Sequence, residues 1–204
     1  MPKPDLERAK HYALNRLENE LPPTLYYHSL FHTRDDVVPA TERFAEMEHI
    51  TGDDLLCLRT AAYFHDLGHI ENSADHEERS VRMVNEVLPG LGYTRPQLAL
   101  IGQLIMATKL PQDAPTLLAK IIVDADMDSL GRDDFLKTSL DLKAELEIMR
   151  NETIGMADWY TRQLTFVLQH RYFTEAARKL REEGKQRNIK LLERLLVEAR
   201  ESET

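Results

Sequence analysis

The sequence predicts an all-α protein: apolar residues recur at helical spacing in one segment after another, eight glycines and nine prolines punctuate those segments, and no β-branched run lies between turn signals as a strand would. Leu6, Ala9, Ala13, Leu14 and Leu17 form the apolar stripe of a first helix, closed by Pro22-Pro23. A second helix is expected over residues 28–49, after which Thr51-Gly52-Asp53 breaks the chain and caps a third. In that third helix Leu55, Leu58, Ala62 and Leu67 lie near an i, i+3, i+7 pattern, and Leu56, Ala61 and Phe64 fill the flanks. The helix should therefore be buried on most sides and stop at Gly68.

A fourth helix is expected over residues 73–88, ended by Pro89-Gly90, and Thr94-Arg95-Pro96 reads as a cap and early proline opening a fifth that runs to about Thr108. Pro111 and Pro115 bracket the next loop. Leu117, Leu118, Ile121, Ile122 and Val123 make a strongly apolar sixth helix running straight into Asp124-Ala125-Asp126-Met127-Asp128, ahead of Gly131. Two longer polar helices are expected over 133–151 and 154–171. A last one from Thr174 carries Ala177, Leu180, Ile189, Leu192 and Leu196, and its REEGKQR stretch reads as a solvated face or partner-facing arm.

With 204 residues, 42% hydrophobic and 30% charged, the chain suits one folded domain able to bury its own core. Lone Cys57 excludes an intrachain disulfide, MPKPDLERAK lacks the apolar core of a signal peptide, and no apolar run approaches membrane-spanning length, so a cytoplasmic address without a membrane partner is expected. A net charge of −9 works against binding long nucleic acid but allows a small phosphorylated substrate, because a bound cation inverts the local field. A homo-oligomer is compatible with the sequence.

Five of the eight histidines, His28, His32, His65, His69 and His76, fall between residues 28 and 76. Four residues apart, His28 and His32 would share a helix face, as metal donors or simply as a surface pair. His65-Asp66 follows the mostly apolar run Arg59-Thr60-Ala61-Ala62-Tyr63-Phe64. Burying that carboxylate costs several kcal/mol unless a metal or an arginine pairs it. Asp124, Asp126 and Asp128 follow three large apolar residues near a helix C-terminus, where negative charge opposes the helix dipole. A cation or chance acidic capping accounts for them.

In order, YHSLFHTRDDV, AAYFHDLGH and IIVDADMDSLG resemble the HD superfamily of metal-dependent phosphohydrolases, whose signature is H…HD…D on a helical bundle. The resemblance covers about residues 25–131. It implies a single HD-type unit over 1–204, with 132–204 as additional packing helices and a C-terminal arm. It also implies one divalent metal (Mn, Mg, Fe, Ni or Zn), with room for a second, held by His32, His65, Asp66 and Asp126. Asp126 follows a small residue as the family's last ligand does. Asp124 is the close alternative and is expected to orient a ligand or a bound water.

YHSLFH is similar to the YHNxxH segment of cyclic-nucleotide phosphodiesterases, which implies His28 as the acid on the leaving oxygen. HDLGHIEN resembles their HDxxHxGxxN but lacks the Gly, so cyclic-nucleotide activity is not implied. In the hydrolysis this implies, Asp66 ligands the ion while orienting the attacking water, His28 or His69 donates the proton to the departing oxygen, and His69 is also a candidate for water, substrate phosphate or a second metal. Lys109 or Arg79 pairs a phosphate, although Lys109 reads equally as a solvated helix-end cation. The implied function is hydrolysis of a phosphoester of a nucleotide or other small metabolite. The alternatives are a metal-binding regulatory or scaffolding domain without turnover and a di-iron oxygenase using the spare His69 and His76.

Overall fold

The computed structural model describes residues 3–202, so the outer two positions at each end of the expected 1–204 unit lie outside the described residues. Among those residues the chain is helical throughout, without strands. The helices are α1 (Leu6–Glu20), α2 (Val38–Met47), α3 (Gly52–Phe64), α4 (His76–Val87), α5 (Arg95–Thr108), α6 (Leu117–Asp126), α7 (Phe135–Arg150), α8 (Met156–Gln169) and α9 (Glu175–Ser202). None is long and apolar enough to cross a membrane.

The main core forms around α3, in which Cys57, Leu58 and every residue from 60 to 64 are buried. Helices α1, α2 and α5 pack on α3, α4 leans on α5, and α6 closes the layer against α2 and α5. Ala9, Ala13 and Leu17 of α1 belong to this core, so it begins before residue 25. A second apolar cluster is built from α7, α8 and α9 around Phe135, Trp159, Val167, Ile189 and Leu192. Helix α5 opens as the sequence indicates: Gln97 accepts both the N–H and the hydroxyl of Thr94 at 2.9 Å, a reciprocal cap.

Three boundaries differ from expectation, and each difference shapes the site. His28 lies in a bend before the second helix, so His28 and His32 do not share a helix face. Residues His32–Val37 wind as a π-helix, with the Val38 N–H bonded to Thr33 C=O. Pro39, next in the chain, has no N–H for Asp35 C=O and its ring crowds that carbonyl, a conflict the wider turn relieves. Helix α3 stops at Phe64 rather than Gly68, and Asp66 (φ −100°, ψ 4°) leads into a 3-10 turn over Leu67–Ile70.

The REEGKQR stretch is not a free arm. Arg181 grips Asp128 through two bonds of 2.6 and 2.9 Å, Lys185 is buried with its ammonium 2.9 Å from His170 C=O, and Asn188 donates to the carbonyls of Leu130 and Arg132. At the crossing of α9 with the turn Asp128–Gly131, a Cβ on Gly184 would stand 2.0 Å from the Gly131 oxygen. The charge run thus docks one face and solvates the other.

That backbone contact sets the sign of a substitution. Alanine normally favours a helix over glycine by roughly 1 kcal/mol. Gly184→Ala is instead expected to lower stability by about 1–3 kcal/mol through overpacking, read as a reduced urea midpoint with helicity retained. A raised midpoint would contradict the close crossing.

Candidate metal centre

Four side chains from three elements converge at the junction of the π-helix, the end of α3 and the end of α6. His32 Nε2 lies 3.1 Å from Asp126 Oδ1 and 3.7 Å from Asp66 Oδ2, while His65 Nε2 lies 3.2 Å from Asp66 Oδ2 and 3.7 Å from Asp126 Oδ1. Consecutive residues on a helix point about 100° apart, and His65 and Asp66 converge because the chain leaves the helix between them. Buried Ser80 clamps the turn, donating to His65 C=O and accepting the Gly68 N–H, both at 2.8 Å. A Cβ on Gly68 would stand 2.0 Å from His76 C=O, so glycine lets α4 close on the turn.

The donor set fits a divalent cation. His65 Nδ1 lies 2.9 Å from Ala62 C=O, an arrangement in which Nδ1–H donates and Nε2 faces the carboxylates, able to give a lone pair to a cation once its own proton is displaced. His65 Nε2, Asp66 Oδ2 and His69 Nε2 are buried without any hydrogen-bond partner, an expensive condition for polar atoms. Metal bonds of about 2.0–2.2 Å to nitrogen and oxygen place neighbouring donors about 2.8–3.6 Å apart, close to the distances above. His32, His65 and Asp66 are all buried, and Asp126 keeps 14% of its side chain exposed toward a cleft of about 290 Å³.

Asp66 divides its oxygens between two nests. Oδ1 faces His76 Nε2 at 3.4 Å and His69 Nε2 at 3.9 Å, and the rings of His28, His69 and His76 stack in sequence at 4.4 and 3.9 Å. Burial disfavours charge on Asp66, but the nearby imidazoles of His65, His76 and His69 hold its carboxyl well below the usual range. Burial also works against a proton on His65, yet Asp66 and Asp126 outweigh it and lift that imidazole to about 9. Burial prevails at His69, which is held down to about 2.

Helix α7 supplies a residue that sequence reasoning missed. Glu145, fully buried, accepts the backbone N–H groups of Tyr27 and His28 at 3.0 and 3.1 Å, and its other oxygen makes a short bond to His28 Nδ1. Burial works against the imidazolium of His28, but Glu145, with Asp66 and Asp126 behind it, raises its pKa. His76 is equally a member of the cluster, though it entered the sequence reading only as a spare histidine.

The three aspartates at the end of the sixth helix and in the turn after it take different partners. Asp126 faces the histidines. Asp124 turns to α9, accepting the N–H groups of Phe173 and Thr174 and the Thr174 hydroxyl at 2.7–2.9 Å, and Asp128 takes Arg181. Asp124 touches none of the four converging donors, so the expectation that it orients a ligand or bound water gives way to a cap at the start of α9. Lys109 lines the cleft with its ammonium 3.3 Å from Asp75 and 2.5 Å from Glu78, whereas Arg79 lies off the cleft wall and holds Glu71 at 2.9 Å.

Residues 38–129 match the family model described as the HD domain, a span that contains His65, Asp66 and Asp126 and leaves His32 just outside. Among solved structures, the chain is similar to a predicted HD superfamily hydrolase from an uncultured Thermotogales bacterium. That likeness has 20% identity, 96% coverage of this chain and 93% of the other, and a TM-score of 0.63. At that identity the likeness is one of fold, and it extends over α7–α9. No curated protein matches.

Two outcomes follow from this geometry. Asp126→Ala is expected to abolish high-affinity Mn²⁺ binding in calorimetric titration. Asp124→Ala is expected to keep it while losing roughly 1–3 kcal/mol of stability through the orphaned N–H groups of residues 173 and 174. The reverse pattern would contradict the placement of the two carboxylates. A cation must also displace the proton that His65 carries below about pH 9 in the metal-free protein. Apparent affinity should therefore rise with pH by up to about tenfold per unit and level off near that value, with proton release seen as buffer-dependent heat. A pH-independent affinity between pH 6 and 8 would exclude that proton.

Proposed function

We propose, from the match of residues 38–129 to the HD-domain model, that this chain is a metal-dependent phosphohydrolase that cleaves an ester of a small phosphorylated metabolite. The observation that carries the reading is the convergence of His32, His65, Asp66 and Asp126 on one point beside an open cleft. A divalent cation held there supplies neutralising charge for phosphoryl oxygens and acidifies a water. Asp66, ionised and fixed by His65 and His76, accepts a hydrogen bond from the attacking water and orients it. His28 lines the same cleft, and Glu145 favours its charged form and aims its Nε2–H for donation to the departing oxygen. His69, neutral, offers a hydrogen bond to a phosphoryl oxygen or joins Asp66 in holding a second ion. Lys109 sits where a phosphate can draw its ammonium from Asp75 and Glu78.

The regulatory reading without turnover loses its motive, because α9 is docked along its charged stretch rather than presented as an arm. One observation favours a second reading, a two-metal oxygen-dependent centre: Asp66 Oδ1, His28 and His69 place donor atoms within 4.8 Å of one another. Metal stoichiometry and oxygen uptake separate it from hydrolysis.

The test is a panel of phosphomonoesters and nucleotides assayed after reconstitution with each of several divalent metals. Hydrolysis is expected with at least one, and none across the panel would overturn the reading. His28→Asn is expected to lower kcat by about 10²–10⁴ on alkyl esters while keeping metal, and far less on p-nitrophenyl phosphate, whose leaving group needs no acid. Because Glu145 raises the His28 pKa, the alkaline limb of the kcat profile should lie above the ordinary histidine range and move to lower pH in Glu145→Gln. An unmoved limb would remove His28 from the role of acid.

A further inference from the structure

A second cavity, about 390 Å³, opens beside the metal cleft, and the two share His28, Leu110 and Met127 in their walls. One wall is a stripe of α7 containing Phe135, Leu142 and Leu146. The other is the stripe Trp159, Gln163 and Phe166 of α8, at the i, i+4, i+7 spacing of a single helix face. Its volume is in the range of small-molecule sites, and its lining is apolar with a few polar groups, as such sites are. Two polar side chains reach this otherwise apolar wall: Gln163, whose amide makes no hydrogen bond to the described residues, and the exposed Arg162, which pairs with none of them. Both are available to a polar group on a molecule held in the cavity.

We propose that this cavity binds the leaving alcohol of the substrate, and that the substrate class is a phosphoester whose alcohol carries an apolar, ring-sized body. The inference rests on the phosphohydrolase reading and deepens it. His28 stands at the junction of the two cavities and faces the departing oxygen, so the group attached to that oxygen extends past His28, away from the metal donors and between α7 and α8. In the step, water oxygen forms a bond to phosphorus and the bond from phosphorus to the alcohol oxygen breaks. The electron pair goes to that oxygen and the His28 proton ends on it, while the water's protons stay on the phosphate product and His28 regains a proton from solvent. The released alcohol leaves past Leu110, which is 58% exposed at the mouth.

The experiment compares methyl phosphate with 2-(1-naphthyl)ethyl phosphate on the metal-reconstituted protein. Both have unactivated alkyl leaving groups that need the His28 proton, so intrinsic reactivity is nearly matched. The naphthyl ester is expected to have a kcat/KM about tenfold or more above the methyl ester. Leu142→Trp and Leu146→Trp, which fill the cavity, are expected to collapse that ratio toward one with the metal stoichiometry intact. A ratio near one in the wild type, or one that survives both substitutions, would overturn the proposal. Should neither ester turn over, the phosphohydrolase reading fails separately, and calorimetry with 2-(1-naphthyl)ethylphosphonate against methylphosphonate reads the cavity directly. Tighter binding of the naphthyl compound, lost in Leu142→Trp, would uphold the cavity, and equal binding would refute it.

Discussion

The structure depends on one costly arrangement: Asp66 Oδ2 and the Nε2 atoms of His65 and His69 buried without hydrogen-bond partners. Nothing in the surrounding apolar layers relieves that cost, and a protein interior accepts such atoms only where another charge joins them. The surrounding scaffold serves to hold the arrangement. Helix α3 stops short so that two consecutive residues aim at one point, Ser80 and Gly68 fix the turn that follows, and the π-helix before Pro39 sets where His32 enters. Helix α6 then brings Asp126 up from the far side.

The second layer, α7 to α9, is more than padding around this centre. Glu145 of α7 reaches the acid candidate His28, and Arg132 ties the start of α7 to Asp36 in the π-helix, so His28 and His32 are both indexed to the same layer. Asp124 and Asp128 flank Asp126 in sequence and hold α9 from either side. A shift in α9 would therefore be felt at the two residues bordering Asp126, which links the stability of the C-terminal layer to the geometry of the site.

Much of this was legible in the sequence wherever the deciding interactions are local. The capping of α5 by Thr94 and Gln97, the all-round burial of α3 and the breaks at Pro22-Pro23 and Pro89-Gly90 depend on neighbours within a few residues. The convergence of His32, His65 and Asp126 was readable from a spacing that resembles a known signature. What escaped was long-range. Glu145 sits in a polar helical stretch that looks solvated, and its partner is 117 residues away. REEGKQR reads as a solvent face because Asp128 and the His170 carbonyl are distant in the chain, and Asp124 reads as a neighbour of the metal until α9 arrives to claim it. Helix periodicity also assumed a regular second helix, which the π-turn and the bend at His28 replace.

The most direct measurement of the central claim is anomalous diffraction from crystals of the protein loaded with Mn²⁺. The account requires a peak within bonding distance of His32 Nε2, His65 Nε2, Asp66 Oδ2 and Asp126 Oδ1 together. A Mn²⁺ peak elsewhere in the molecule, or none at this junction at saturating metal, would contradict it.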